Sequence, residues 1–254
     1  METSTSTRVQ LASAYSCYFF IGLFAIGFLP LAGFLPPPRP TAAADEVAAL
    51  FRDRAGAIRA GMCVCVAASA FLLPWGAAVG AQLRRIERLP TLTYTWVCAN
   101  TILAVLFIYP CLWWAVAAFR PDGDLEIIQR FNDMAWLGFM GIISTALIQC
   151  LVLAVATFAD VSPDPVYPRW FGYFQAWCGV LLTPDLVVYC FKSGPVAWNG
   201  IFAFWTEITV AFLWLIVTTH MTARAAREQS TRTMGGLTLE QRIAALESER
   251  AVQA

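Results

Sequence analysis

Two acidic side chains lie inside apolar stretches of the sequence and have no basic neighbour there. Asp185 occurs in "TPDLVVYCF" and Glu207 occurs in "FWTEITVAF". A charge in a membrane interior is costly, and ionisable residues at that depth commonly bind a proton, an ion or a substrate. Two neighbouring carboxyls can also share one proton. The sequence therefore predicts that Asp185 and Glu207 form a site for a proton or a cation.

Several residues near the two acids could support such a site. Thr183, Thr206, Thr209 and Tyr189 offer hydroxyls. In a purely structural interpretation, both acids are neutral and bond these hydroxyls, which would tie the helices together. Pro184 frees a carbonyl one turn earlier in the helix and predicts a kink there. A kink beside an acid resembles the broken helices of transport sites.

A third acid, Asp133, belongs to a different part of the chain. Together with Asn132 it stands at the predicted start of the fourth apolar segment. An acid at that position stabilises a helix N-terminus, and this is the expected role of Asp133. The alternative is that Asp133 lines the outer mouth of a pathway that leads to the pair.

The residues required for a metal or cofactor site are missing. His220 is the single histidine, and no C-x-x-C pair occurs among the cysteines. This excludes bis-histidine haem ligation and H-E-x-x-H zinc sites. Glycine-rich nucleotide motifs and the G-x-S-x-G nucleophile elbow are also absent. We expect no cofactor and no metal.

The elements that position these side chains are membrane helices. The chain of 254 residues is 59% hydrophobic and 13% charged, whereas a soluble domain carries about 25% charged residues. A membrane span needs about 20 apolar residues and must be helical to satisfy its backbone. The sequence predicts an all-α, polytopic bundle with six spans in a membrane domain over residues 1–222. The spans are about 13–35, 60–82, 93–118, 134–158, 170–191 and 198–220.

The charges of the short links predict the orientation in the cell membrane. The link between spans two and three and the segment after span six are basic, and the link between spans three and four is acidic. The basic residues are Arg84, Arg85, Arg88, Arg224 and Arg227, and the acidic ones are Asp122, Asp124 and Glu126. Because basic links stay inside, both termini are expected in the cytoplasm. Spans five and six then run antiparallel, which places the two acids at similar depth.

Two further segments are predicted outside the spans. Residues 41–59 begin with a capping threonine and place apolar residues on one face, which predicts an amphipathic helix on the outer surface. The tail, residues 223–254, contains the capping pattern of "TLEQ" and predicts a short cytosolic helix over 238–250. This tail helix could bind a second copy of the chain or a partner membrane protein. The lipid bilayer is the other expected partner, and the balanced charge gives no sign of a nucleic-acid partner.

Three functions remain open from the sequence. The first is a small proton- or cation-coupled carrier or channel, which predicts a polar cavity that reaches both acids. The second is a non-catalytic subunit or scaffold of a larger complex, with the acids as structural links. The third is a lipid-directed enzyme that uses the acids for acid–base chemistry, but no nucleophile is evident. The preference for arginine over lysine suggests a GC-rich bacterial genome.

Overall fold

Helices make up the regular structure in the computed structural model, which describes residues 5–86 and 90–235. No β-strand occurs among these residues, and the predicted all-α class is confirmed. The α-helices are α1 (Thr5–Ile26), α2 (Ala44–Ser69), α3 (Leu72–Leu83), α4 (Thr91–Phe119), α5 (Leu125–Gly141), α6 (Ser144–Ala159), α7 (Arg169–Leu182) and α8 (Glu207–Gly235). Two π-helices, Gly27–Ala32 and Ile201–Thr206, and one 3₁₀ helix, Thr183–Cys190, complete the set.

Six stretches within the described ranges are long and apolar enough to cross a membrane, as predicted. They are Ser6–Ala32, Ala44–Leu83, Thr91–Phe119, Leu125–Ala159, Arg169–Cys190 and Ile201–Gln229. Successive spans run in opposite directions. Residues 5 and 235 therefore lie at one end of the bundle, called here the termini end. The loops 33–43, 120–124 and 191–200 lie at the opposite end, called here the proline-rich end.

The spans are interrupted more often than the sequence predicted. Among the described spans, Thr91–Phe119 alone is one unbroken α-helix. The second span breaks after Ser69, the fourth breaks after Gly141, and the first and fifth end in π and 3₁₀ turns. Irregular backbone within a membrane is tolerated where protein surrounds it or where it lines a cavity. The interruptions therefore mark the places where a buried site or a cavity is expected inside the bundle.

The predicted amphipathic segment 41–59 is helical from Ala44 but is not a separate surface helix. It forms the first part of α2, which bends at Arg54 (φ −123°, ψ 16°) and continues into the second span. The Arg54 side chain donates to the carbonyls of Pro30 and Leu31, at 3.1 and 3.2 Å. These carbonyls belong to the π-helix that ends the first span. The predicted apolar face packs into the protein, since Val47, Phe51 and Ile58 are buried.

The fourth span begins about nine residues earlier than predicted, at Leu125. Asp124 caps its N-terminus by accepting hydrogen bonds from the backbone N–H groups of Glu126 and Ile127, at 2.9 and 3.0 Å. Asp133 lies inside α5 and does not cap the helix, so its expected role at the N-terminus was wrong. The apolar count placed the start too late because the first turns of α5 carry charged residues.

Aromatic side chains hold the first, third and fourth spans together near the proline-rich end. The rings of Trp114 and Trp136 are 4.9 Å apart, and those of Phe34 and Trp114 are 4.8 Å apart. Phe28 and Phe139 stack at 5.4 Å. Edge-to-face and offset contacts of this kind add to the free energy of burial. This cluster makes a rigid frame beside the fifth and sixth spans.

Helix α8 continues beyond the predicted membrane boundary at residue 222 and ends at Gly235. The predicted tail helix over 238–250 lies outside the described residues, and so does Arg88, which entered the prediction of orientation.

Candidate functional site

Asp185 lies in the 3₁₀ helix that ends the fifth span. Pro184 has no N–H group, so the carbonyl of Val180 loses its α-helical partner. The hydroxyl and the backbone N–H of Thr183 both donate to that carbonyl instead. The 3₁₀ helix runs for eight residues, whereas such helices seldom exceed about four. The changed helical turn leaves Asp185 fully buried.

Glu207 lies at a second change of helix type, where the π-helix of the sixth span passes into α8. The π-helix follows Gly200, whose Cβ, if present, would lie 2.4 Å from the carbonyl oxygen of Pro195. Only glycine permits this close turn of the backbone. Short π segments are frequent at functional sites because they re-aim the side chains that follow. The Glu207 side chain is 7% exposed.

The structure brings the two acids together. Their carboxyl groups lie close enough to interact directly. Both oxygens of Asp185 and Oε2 of Glu207 are buried, and no N–H or O–H group of the described residues donates to them. Two ionised carboxylates offer acceptors only and repel each other. A proton or a cation between the two carboxylates would remove this repulsion and give their oxygens a partner.

The threonines predicted to support the pair do not bond it. Thr206 Oγ1 donates to the carbonyl of Ile201 at 2.9 Å, and Thr209 Oγ1 donates to that of Trp205 at 2.7 Å. Both bonds are local to the helix and leave the carboxyls without a hydroxyl partner. The structural interpretation, in which both acids are neutral and tie the helices together, expected these hydroxyls to bond the carboxyls.

Tyr189 also donates no hydrogen bond to Asp185 or to Oε2 of Glu207, although it helps to place the 3₁₀ helix. It is 53% exposed, and its ring packs on Gly141 at the break of the fourth span. A Cβ at Gly141 would lie 2.3 Å from Tyr189 Oη. The lack of a side chain at Gly141 lets the 3₁₀ helix approach α5 closely. Tyr189 is therefore a packing residue between the fourth and fifth spans.

Asp133 lies apart from the pair. It stands two turns from Gly141 along α5, about 12 Å toward the proline-rich end. Lys192 attracts its carboxylate without forming an ion pair. The neighbouring Asn132 accepts a hydrogen bond from Trp136 Nε1 at 3.1 Å. Asp133 remains a candidate for the mouth of a pathway at that end.

Glu207 borders a small cavity between α4, α5, α6, α7 and α8. Its volume is about 40 Å³, and Glu207 is the one ionisable residue among the fourteen that line it. Ile143, Leu182 and Trp214 are among the others. Because one water needs about 10–15 Å³, the cavity has room for about three or four. This cavity is apolar and Asp185 does not line it, so it is not the polar cavity reaching both acids that a carrier predicted.

A line of buried polar groups leads from this cavity toward the termini end. Trp214 borders the cavity and donates from Nε1 to Gln175 Oε1 at 2.6 Å. Gln175 Nε2 donates to Thr218 Oγ1 at 3.2 Å. One turn further along α8, Thr222 Oγ1 and Tyr167 Oη are 3.4 Å apart. All five side chains are buried. The cavity and these polar side chains lie along α8 between Glu207 and the termini end.

Sequence reasoning missed this line. The sequence feature that could have revealed it is the spacing of four residues on α8. Glu207, Trp214, Thr218 and Thr222 are separated by seven, four and four residues, which places them on one face of the helix. Gln175 stood out less because it is a single amide in an aromatic run. Hydropathy alone gives no means of pairing it with a residue on another span.

No group of three metal-ligating side chains occurs within residues 5–86 and 90–235. A carboxyl pair alone gives a metal cation such as Ca²⁺ too few oxygen ligands, since Ca²⁺ takes 6–8. A proton needs only the two facing oxygens. The geometry therefore suits a proton better than a divalent metal.

The chain was compared with protein-family models, curated proteins and solved structures, and nothing matched. The chain is a multi-pass, all-α membrane protein with six spans in the described ranges and a buried carboxyl pair at interrupted helices.

Proposed function

We propose that this chain is a small membrane carrier of protons in which Asp185 and Glu207 together take up and release one proton. The observation that carries the proposal is the pair of neighbouring carboxyls, in which no described N–H or O–H group donates to either oxygen of Asp185 or to Oε2 of Glu207. A shared proton satisfies both groups at once. Helix interruptions at both acids support the same view, because discontinuous helices commonly form the binding sites of transporters.

The sealed geometry corresponds to an occluded state of such a carrier. Asp185 is fully buried, and the cavity beside Glu207 is small and apolar. Exchange of the proton then requires water to enter the cavity. The Trp214–Gln175–Thr218 line supports exchange toward the termini end, which is the cytoplasmic side if the basic links orient the chain as predicted.

The second candidate is a non-catalytic subunit of a larger complex in which the acids hold helices together. The burial of both acids favours it. The hydroxyls expected to bond the acids are bonded to the backbone instead, which speaks against it. A subunit would also retain its proton permanently.

The test is proton flux into vesicles that contain the purified chain and a trapped pH-sensitive dye. A potassium diffusion potential drives the flux. Wild type is expected to acidify the vesicles faster than lipid alone, and the double variant Asp185→Asn, Glu207→Gln is expected to return to the lipid rate. The matched control makes the same chemical changes at two exposed acids, Asp53→Asn and Glu46→Gln. Equal flux from wild type and the paired-acid variant contradicts the proposal.

A further inference from the structure

A pocket at the proline-rich end contains the elements of an anion-binding site. Its volume is about 220 Å³, and it lies between the loops 33–43 and 191–200. It is lined by Arg39, Pro40, Thr41, Lys192, Ser193, Gly194, Asn199 and Gly200. Two basic residues, two hydroxyl residues and one amide residue thus surround one space. No acidic residue is among the eight.

The two loops that form the pocket are fixed to each other. The indole of Trp198 is 5% exposed, and its Nε1 donates to the carbonyl of Pro38 at 2.9 Å. This bond joins the proline-rich loop to the loop between spans five and six. The four prolines of the stretch 36–40 restrict that loop further. The pocket therefore exists before any ligand arrives, which lowers the cost of binding.

Backbone bonds hold the second loop in a tight turn. Phe202 N donates to the carbonyl of Pro195 at 2.9 Å, and Gly200 N donates to that of Ala197 at 2.6 Å. Gly194 has a φ of +88°, a conformation that side-chain-bearing residues rarely adopt. The turn places Ser193 and Asn199 on the same pocket.

The two basic residues are free to bind a ligand. Neither Arg39 nor Lys192 takes part in an ion pair within the part of the chain that the structure describes. Asp133 attracts Lys192 from a distance but does not line the pocket. Arginine binds phosphate oxygens through two parallel N–H bonds, and lysine adds a point charge. Hydroxyl and amide groups complete the coordination of such an oxyanion.

The surroundings place the pocket beside the lipid. Leu35, Phe191, Ile201 and Phe202 flank the two loops and are 44–56% exposed. Exposed apolar side chains of this kind are expected to face hydrocarbon, whereas the pocket is lined by polar residues. The boundary between the two is the level at which phospholipids carry their phosphates.

We propose that this pocket binds a phosphate-type anion through Arg39 and Lys192. The anion comes either from the headgroup of an acidic phospholipid or from free phosphate. The site is separate from the acid pair and does not depend on the proposed carrier function. Its occupant would tie the proline-rich loop to the loop between spans five and six.

The test for the lipid source is native mass spectrometry of the full chain in detergent with equal amounts of phosphatidylglycerol and phosphatidylcholine. Wild type is expected to retain phosphatidylglycerol in preference. Arg39→Gln with Lys192→Gln is expected to weaken that retention about tenfold or more, since each basic residue near a membrane surface adds attraction. The control Arg120→Gln with Arg130→Gln removes two exposed charges from the same end and keeps the preference.

A second arm tests free phosphate by thermal unfolding in neutral detergent, against chloride at equal ionic strength. A rise in the unfolding midpoint that vanishes in Arg39→Gln with Lys192→Gln assigns the site to free phosphate. Lipid preference without such a rise assigns it to the headgroup. The charge-preserving variant Arg39→Lys with Lys192→Arg must keep the wild-type response. Equal retention of both lipids by wild type, with no effect of phosphate, overturns the proposal.

Discussion

The indole N–H of Trp214 donates a 2.6 Å hydrogen bond to Gln175 Oε1, which lies on the neighbouring span. Both side chains are buried, and Trp214 also borders the cavity that contains Glu207 at its wall. Gln175 thereby connects the cavity to Thr218 and the termini end. A buried amide with both groups bonded fixes the relative position of two helices. The proposed route for protons depends on this contact.

Gln175→Leu should lower the thermal stability of the protein in detergent. The change leaves the Trp214 N–H buried without a partner, at a cost of about 1–3 kcal/mol. The matched control is Gln149→Leu. Gln149 is also fully buried, but neither of its amide atoms bonds any described residue, so its replacement should be neutral or stabilising. Equal destabilisation by the two variants would argue against a special role for Gln175.

The single variants Asp185→Asn and Glu207→Gln should be as stable as wild type. They should not exchange the shared proton, because an amide replaces one of the two carboxyls. An amide N–H can donate to the remaining carboxyl and takes the place of the shared proton. Asp185→Leu, in contrast, leaves Glu207 buried without a partner and should cost about 1–3 kcal/mol. Thermal unfolding of the three variants tests this order. A marked loss of stability in both amide variants would show that the facing geometry does not depend on a hydrogen bond.

Gly141→Ala should destabilise the contact between the fourth and fifth spans. Its new Cβ would lie 2.3 Å from Tyr189 Oη, and overpacking of this kind costs about 1–3 kcal/mol. In a Tyr189→Ala background the ring is absent, so Gly141→Ala should have little further effect. The double-mutant cycle is read from unfolding midpoints. Additive losses would mean that the two residues do not interact.

Asp160, at the end of α6, should make the stability of the termini end depend on acid pH. Burial alone raises its pKa, but hydrogen bonds from Ser162 and Val166, with Arg85 nearby, outweigh burial and lower the pKa. A carboxyl with a lowered folded-state pKa stabilises the fold above its unfolded value, and this contribution disappears as the pH falls below about 4.

Asp160→Asn should therefore reduce stability by about 0.5–1 kcal/mol at neutral pH. The difference in stability between wild type and Asp160→Asn should disappear as the buffer pH falls below about 4. Unfolding midpoints of wild type and variant across the pH series measure this difference, and Asp53→Asn serves as the exposed control. A difference that stays constant with pH would refute the role of the Asp160 hydrogen bonds.

The sequence predicted the six spans and the proximity of the two acids for clear physical reasons. Apolar length decides what crosses a membrane, and a short link makes spans five and six neighbours. The helix interruptions were only partly visible, since Pro184 marks the 3₁₀ helix but no proline marks the break after Gly141. That break depends on contacts with other spans.

The supporting residues were harder to predict, because local bonds compete with tertiary ones. A threonine in a helix always has a carbonyl about one turn earlier within reach. Thr206 and Thr209 use those carbonyls, although the sequence equally allowed bonds to Asp185 or Glu207. Asp133 was misplaced for a different reason, because the charged first turns of α5 concealed the true start of the span at Leu125.

Infrared spectroscopy of the protein in lipid tests most directly whether Asp185 and Glu207 hold an exchangeable proton. The protonated-carboxyl band of wild type is followed between acidic and alkaline buffer and in D₂O, beside Asp185→Asn and Glu207→Gln. The account predicts a band that changes with buffer pH, shifts in D₂O and is altered by each substitution. A band that is lost in the variants but stays constant with pH and D₂O in wild type would contradict the carrier. The acids would then be sealed structural links.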